Sequence, residues 1–285
     1  MSEESRKIGL ALGGGGGKGS AHIGVITALE ALHVPIDVLT GTSIGGLVAA
    51  LYAVGYQPYQ IEQWFQRATM RRILDRDPTN GGFIGTRKIE QLLREAFGTR
   101  TFADATLPLA LIAVDIVRGT EVIIRDGLLV DAVLASTAIP GLFPPVMRGE
   151  QLLVDGGVLN NVPVDVAQML GADRVIGVDL GLVPGEFEYG PALEATLAMW
   201  SPRRWMPRGQ LALAERALAL MMAQITEHRL AETPPAVLLR PVVSRLFPLD
   251  FTRTVEGRMS GERAVFEQRA TLEQIREWRL ADVES

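Results

Sequence analysis

Short apolar runs alternate with helix-periodic ones along the first two thirds of the chain. "KIGLAL" reads as a strand that runs straight into five glycines. "SAHIGVITALEALHV" then spaces Ile23, Ile26, Leu29 and Leu32 as one helical stripe. "PIDVLT" predicts a second strand and "IGGLVAALYAVG" a helix ending at Gly55. Helices over 58–69 and 87–97 flank the turn-rich "RDPTNGGFIGT". "LPLALIAVDI" and "TEVIIRDG" predict a strand pair, "LLVDAVLAST" a helix of small residues, and "QLLVDGG" a short strand. "PVDVAQMLGA" follows as a helix and "RVIGVDLG" as a continuously apolar strand. From about residue 183 the pattern turns helical, through "GQLALAERALALMMAQITEHRLA", one strand-like "AVLLRP" and a charged helix from about Gly261.

Alternating strands and helices predict an α/β fold with a mostly parallel sheet covered on both faces. Ligands of such sheets sit outside the carboxyl ends of the strands. Three unusual features fall at those ends: the glycines at 13–17, Ser43 and Asp155.

Composition narrows the function classes. A net charge of −5 argues against a nucleic-acid partner, which needs a basic face. The absence of cysteine excludes thiolate zinc sites, a disulfide framework and a cysteine nucleophile. "MSEESRKIGLALGGGGGKG" is not a secretory signal, and no apolar run approaches the roughly 18 to 20 residues that cross a bilayer. A cytoplasmic protein, with surface contact to a membrane left open, is expected.

The glycine run supports two chemistries. Gly14 to Gly19 match G-x-G-x-x-G between a strand and a helix, the form of a dinucleotide-binding turn. That reading wants an acid at the end of the second strand, whereas Asp37 stands at its start. Alternatively, consecutive glycines turn backbone N–H groups towards a developing oxyanion, aided by the helix that follows.

Gly41, Ser43 and Gly45 form G-x-S-x-G after an apolar strand and before a helix, the setting of a nucleophile on a sharp turn. A base is harder to find. His22 follows the glycine loop, His33 precedes a proline turn, and His228 falls on a helix face expected to be exposed. A triad of Ser43, Asp155 or Asp179, and His228 would follow hydrolase order, but too few strands precede the serine. Asp155, which ends a strand before two glycines, is the stronger partner. Asp179 has a structural reading, and Asp115 lies inside a strand.

Together "GGGGKG" at 14–19, "GTSIGG" at 41–46, "ASTAIPGLFPPV" at 135–146 and "DGGVLNNVP" at 155–163 resemble the patatin-like phospholipase family, in its order and spacing. The resemblance implies a three-layer α/β/α sandwich, with a catalytic core over 8–181 and a mostly helical part over 182–285 packed on the same domain. It also implies a Ser43–Asp155 dyad, an oxyanion hole from Gly14, Gly15, Gly16 and Gly17, and supporting motif glycines Gly19, Gly41, Gly45, Gly156 and Gly157. Lys18 takes the loop's basic position, as a neighbour of an anionic head group.

The implied activity is hydrolysis of lipid or other acyl esters through an acyl-enzyme, with neither metal nor cofactor. Acyl transfer on the same dyad, or a non-catalytic nucleotide- or lipid-binding module, are the alternatives. Ile139, Leu142, Phe143, Pro145 and Val146 form an apolar stretch suited to an acyl-chain wall or to core packing. Trp200, Arg203, Arg204 and Trp205 combine aromatic and cationic residues, suited to a lipid–water interface or to a solvated loop anchored by its two tryptophans.

Overall fold

The computed structural model describes residues 6–68, 70–73, 85–181, 208–243 and 253–281. Eight strands form one sheet: β1 (Ile8–Leu12), β2 (Val38–Thr42), β3 (Leu109–Asp115), β4 (Thr120–Ile124), β5 (Val146–Arg148), β6 (Gln151–Asp155), β7 (Arg174–Val178) and β8 (Val237–Leu239). Their order is β5-β6-β3-β2-β1-β7-β8, with β4 paired to β3. The run from β3 to β8 is parallel, while β4, β5 and β6 pair antiparallel. β5, for which the sequence pattern predicts no strand, takes its hydrogen bonds from its hairpin partner β6.

The helices are α1 (Ser20–Ala31), α2 (Ile44–Ala53), α3 (Pro58–Arg67), α4 (Met70–Ile73), α5 (Arg87–Phe97), α6 (Leu129–Ser136), α7 (Val164–Met169), α8 (Arg208–Glu232), α9 (Thr254–Glu267) and α10 (Arg269–Leu280). The single terminal helix expected from Gly261 is thus two helices, broken at Gln268.

Strand alternation sends successive residues to opposite faces. Ile8, Leu10, Leu12 and Leu39 join the large core under α1, α2 and α6. Ala11 and Val38 join a smaller core with Val164 and Ala167 of α7 and Leu230 of α8. Helices therefore cover both faces. The second face uses small residues because α7 lies close: a Cβ on Gly9 would fall 3.2 Å from that of Ala167 in α7, and 2.8 Å from that of Ala172 just beyond it.

The C-terminal third is bound into this architecture. β8 extends the parallel sheet beside β7. α9 crosses α1 so closely that a Cβ on Gly24 would lie 1.9 Å from the Arg258 carbonyl oxygen. In the other direction, a Cβ on Gly261 would lie 2.0 Å from the Ala21 carbonyl oxygen. Glycine spacing thus allows two backbones to touch behind the helix that carries the glycine loop.

One arrangement positions the site. Along one edge of β3, Leu109–Ile112 pair with β2 while Ala113–Asp115 pair with β6. β4 occupies the opposite edge, so β2 and β6 share theirs and run towards each other. Their carboxyl ends meet, with Thr42 facing Ile112 and Asp155 facing Ala113.

Candidate active site

Ser43 is the first residue after β2. Its φ of 54° and ψ of −126° are strained for a residue with a side chain. Neighbouring glycines make the turn sterically feasible. A Cβ on Gly41 would lie 2.6 Å from Gly46 Cα, and one on Gly45 would lie 2.2 Å from the Leu12 carbonyl oxygen. Being outside α2, the Ser43 N–H lacks a helical acceptor, and Ser136 Oγ accepts it at 2.9 Å. Ser136 is fully buried at the end of α6. The serine is 6% exposed.

Asp155 ends β6, is 4% exposed, and its carboxylate accepts a hydrogen bond from the Ser43 side chain. Oδ1 also accepts from the Gly157 N–H at 2.8 Å. Burial pushes the carboxyl up to about 6, against the opposing pull of both hydrogen bonds. Gly156 has to be glycine here, because a Cβ would lie 2.4 Å from the Ile112 carbonyl oxygen. The following residues are tied to β2, where Thr42 Oγ1 donates to the Asn160 carbonyl at 2.7 Å and Thr40 Oγ1 to that of Pro163 at 2.9 Å.

The glycine loop approaches the same point, with a Cβ on Gly14 falling 3.2 Å from that of Ser43. Gly14 departs from the expected donor set, since its N–H donates to the Asn161 carbonyl at 3.2 Å. Among the described residues no partner is found for the N–H groups of Gly15, Gly16 or Gly17. Gly16, at a φ of 56°, uses the freedom that only glycine has cheaply. Gly19 gives α1 room against Ile44, 2.2 Å from where its Cβ would stand. Lys18, expected beside a head group, donates to the Leu180 and Gly181 carbonyls at 3.2 and 3.3 Å, which fastens the loop to the end of β7.

The histidines do not supply a base. His22 is fully buried with Nε2 on the Gly13 carbonyl at 2.7 Å, and burial lowers it to about 4. His33 is exposed, and the His228 side chain is 75% exposed beside Glu232. Asp179 caps Gly181 and pairs with Arg240, while Asp115 is saturated by Arg118 and its own turn, which hold it below the usual carboxylate range. Asp37 accepts from the Ile8 N–H and pairs with Arg279, at the end of β1 opposite the glycines. It is therefore out of reach of a nucleotide on that loop.

The candidate acyl wall is mixed. The Ala138 carbonyl accepts from the Asp155 N–H at 2.9 Å, so this stretch starts beside Asp155. Phe143 is buried, Ile139, Leu142 and Pro145 are half-buried, and Val146 opens β5 and packs on the main core. Trp200, Arg203, Arg204 and Trp205 lie outside the described residues. Among the described residues no helix is long and apolar enough to cross a membrane.

Sequence reading missed Ser136 and Asn161, although both sit in motifs already singled out. Their roles depend on backbone partners 93 and 147 residues away.

Comparison with known proteins bears on the family and the fold. The family model for patatin-like phospholipase matches residues 10–168. Patatin-like phospholipase domain-containing protein 7 of Mus musculus is 37% identical over 79% of the chain. Lysophospholipase NTE1 of Debaryomyces hansenii is 31% identical over 89%. In both cases the matched stretch spans only 17% of the relative's length. The solved structure of VipD from Legionella pneumophila has the same fold, with a TM-score of 0.58 at 14% identity over 96% of this chain and 67% of that one. A strained serine between glycines, a buried strand-end aspartate and a glycine loop thus converge in a chain that belongs to the patatin-like phospholipase family.

Proposed function

We propose that the protein hydrolyses carboxylic esters of lipids through a Ser43–Asp155 dyad. The observation that carries this reading is the contact between the Ser43 side chain and a buried carboxylate that burial has made more basic. Ser43 Oγ attacks the ester carbonyl carbon as its proton passes to Asp155. Negative charge developing on the carbonyl oxygen is met by the N–H groups of Gly15, Gly16 and Gly17, at the start of α1. Collapse of the tetrahedral adduct breaks the ester C–O bond, and Asp155 returns the proton to the leaving alcohol. Water then attacks the acyl-enzyme and gives a proton to Asp155; collapse of the second adduct breaks the bond between the acyl carbon and Ser43 Oγ, releasing the acid, while Asp155 returns the proton to Oγ. The sum is ester plus water to acid plus alcohol.

A carboxylate with an ordinary pKa is a feeble base for a hydroxyl, so the dyad needs the desolvation observed at Asp155. The relatives' names, with phospholipase and lysophospholipase in them, support a phospholipid or lysophospholipid as the substrate class. Residues 8–181 act as the catalytic core, covered by the C-terminal part of the same domain. A cytoplasmic site of action fits a chain without cysteine.

The test is labelling by a fluorophosphonate probe and turnover of p-nitrophenyl esters and lysophospholipids. Ser43→Ala is expected to lose both, and Asp155→Asn to lose turnover, with the fold intact by circular dichroism. Full turnover by either variant would exclude the dyad.

A further inference from the structure

Helix α8 is encoded far from the motif residues, yet one face of it meets the segment that follows Asp155. Met222, Thr226 and Arg229 recur on that face at helical spacing. Arg229 pairs with Asp165 at 2.6 Å and with Glu121 at 2.9 Å. Asn160, which is buried, donates to the same two carboxylates at 2.9 and 3.0 Å. The arginine thereby pins α8 to α7 and β4, through the carboxylates that also hold Asn160 in the chain after Asp155. Two turns earlier along α8, Met222 reaches Gly157. A Cβ on Gly157 would lie 2.9 Å from Met222 Cε, 3.0 Å from Asn161 Oδ1 and 3.1 Å from Asp155 Oδ1. The thioether methyl and the carboxylate oxygen therefore crowd one face of the same glycine.

We propose that Met222 is a positioning residue for Asp155: delivered by α8 and locked by Arg229, it keeps water from the carboxylate. The proposal rests on the reading of Asp155 as the base. A flexible, polarisable side chain suits an irregular gap of this kind. Excluding water disfavours the charged carboxylate, and burial is the main cause of its raised value. Charged groups on the surrounding elements already have partners: Asp115 with Arg118 beyond β3, and Glu121 and Asp165 with Arg229. His22, behind the glycine loop, is neutral above about pH 4. Arg216 lies on α8 roughly 120° around the axis from Met222.

The experiment titrates Asp155 by carboxyl-carbon NMR on aspartate-labelled protein, with its resonance assigned by loss in Asp155→Asn. Met222→Gln should lower the midpoint from about 6 towards the ordinary aspartate value of about 3.9, while Met222→Leu keeps it. Arg229→Ala, which unpins α8, should also lower it. An unchanged midpoint in folded Met222→Gln, or an equal fall in Met222→Leu, overturns the proposal. Should Met222→Gln not fold, Met222→Ala gives the same comparison. No turnover is needed for this readout. Failure of the dyad would appear instead as ester hydrolysis surviving in Ser43→Ala.

Discussion

Ser43 and Asp155 meet because the strands before them end head to head along one edge of β3. Consecutive residues Ile112 and Ala113 hold the two ends, facing Thr42 and Asp155 respectively. The proposed nucleophile and base, 112 positions apart, are thus set by the register of a single strand. On the proposed mechanism, kcat/KM should rise with pH through a single ionisation near 6, because only the charged carboxylate accepts the serine proton. A profile flat from pH 5 to 8 would exclude Asp155 as the base.

The same shift makes the site costly to the fold. A carboxyl at about 6 when folded and 3.8 when unfolded binds its proton more tightly in the native state. Its contribution is fully present below pH 3.8 and is lost as pH rises through 6, on the order of 3 kcal/mol. Asp155→Asn escapes that loss, so it should be more stable than the wild type at pH 7, with the gap closing near pH 4. Urea unfolding at the two pH values measures it.

Backbone strain at Ser43 predicts an asymmetry between two of its variants. Ser43→Ala keeps a side chain at a φ of 54°, whereas Ser43→Gly relieves it. Relief of about 1–3 kcal/mol outweighs the extra unfolded-state freedom of glycine, about 0.5–1 kcal/mol. Glycine should therefore unfold at higher urea than alanine, and the reverse order would mean that the elbow is not strained.

Ser136→Ala removes the acceptor of the Ser43 N–H and leaves a buried donor unpaired, at a cost of about 1–3 kcal/mol. On the proposed mechanism the loss falls on kcat more than on KM, since the elbow, not the acyl wall, is released. Steady-state kinetics beside the unfolding curve separate the two.

Much of this was legible in the chain. The strand ends carrying Ser43, Asp155 and the glycines follow from apolar runs broken by glycine, a local signal. The β3 register and the short β5 were not legible, because pairing depends on partners distant in sequence and a three-residue strand has almost no periodicity. Lys18 holds two backbone carbonyls, a role not legible because composition alone does not tell a lysine facing solvent from one facing backbone. Arg229 and Met222 left no mark beyond an ordinary helix, since their importance lies in what they touch.

The glycine crossing of α1 and α9 bears on how the chain can be cut. Residues 10–168 carry all four motifs, but the helix rising from the glycine loop rests its backbone on Gly257 and Gly261. Excising the family-model segment would strip that helix of its support and expose Ala21 and Val25 to water. A piece that stands alone is therefore expected to reach past residue 261, with the last helices as a foundation for a loop built from the first twenty residues.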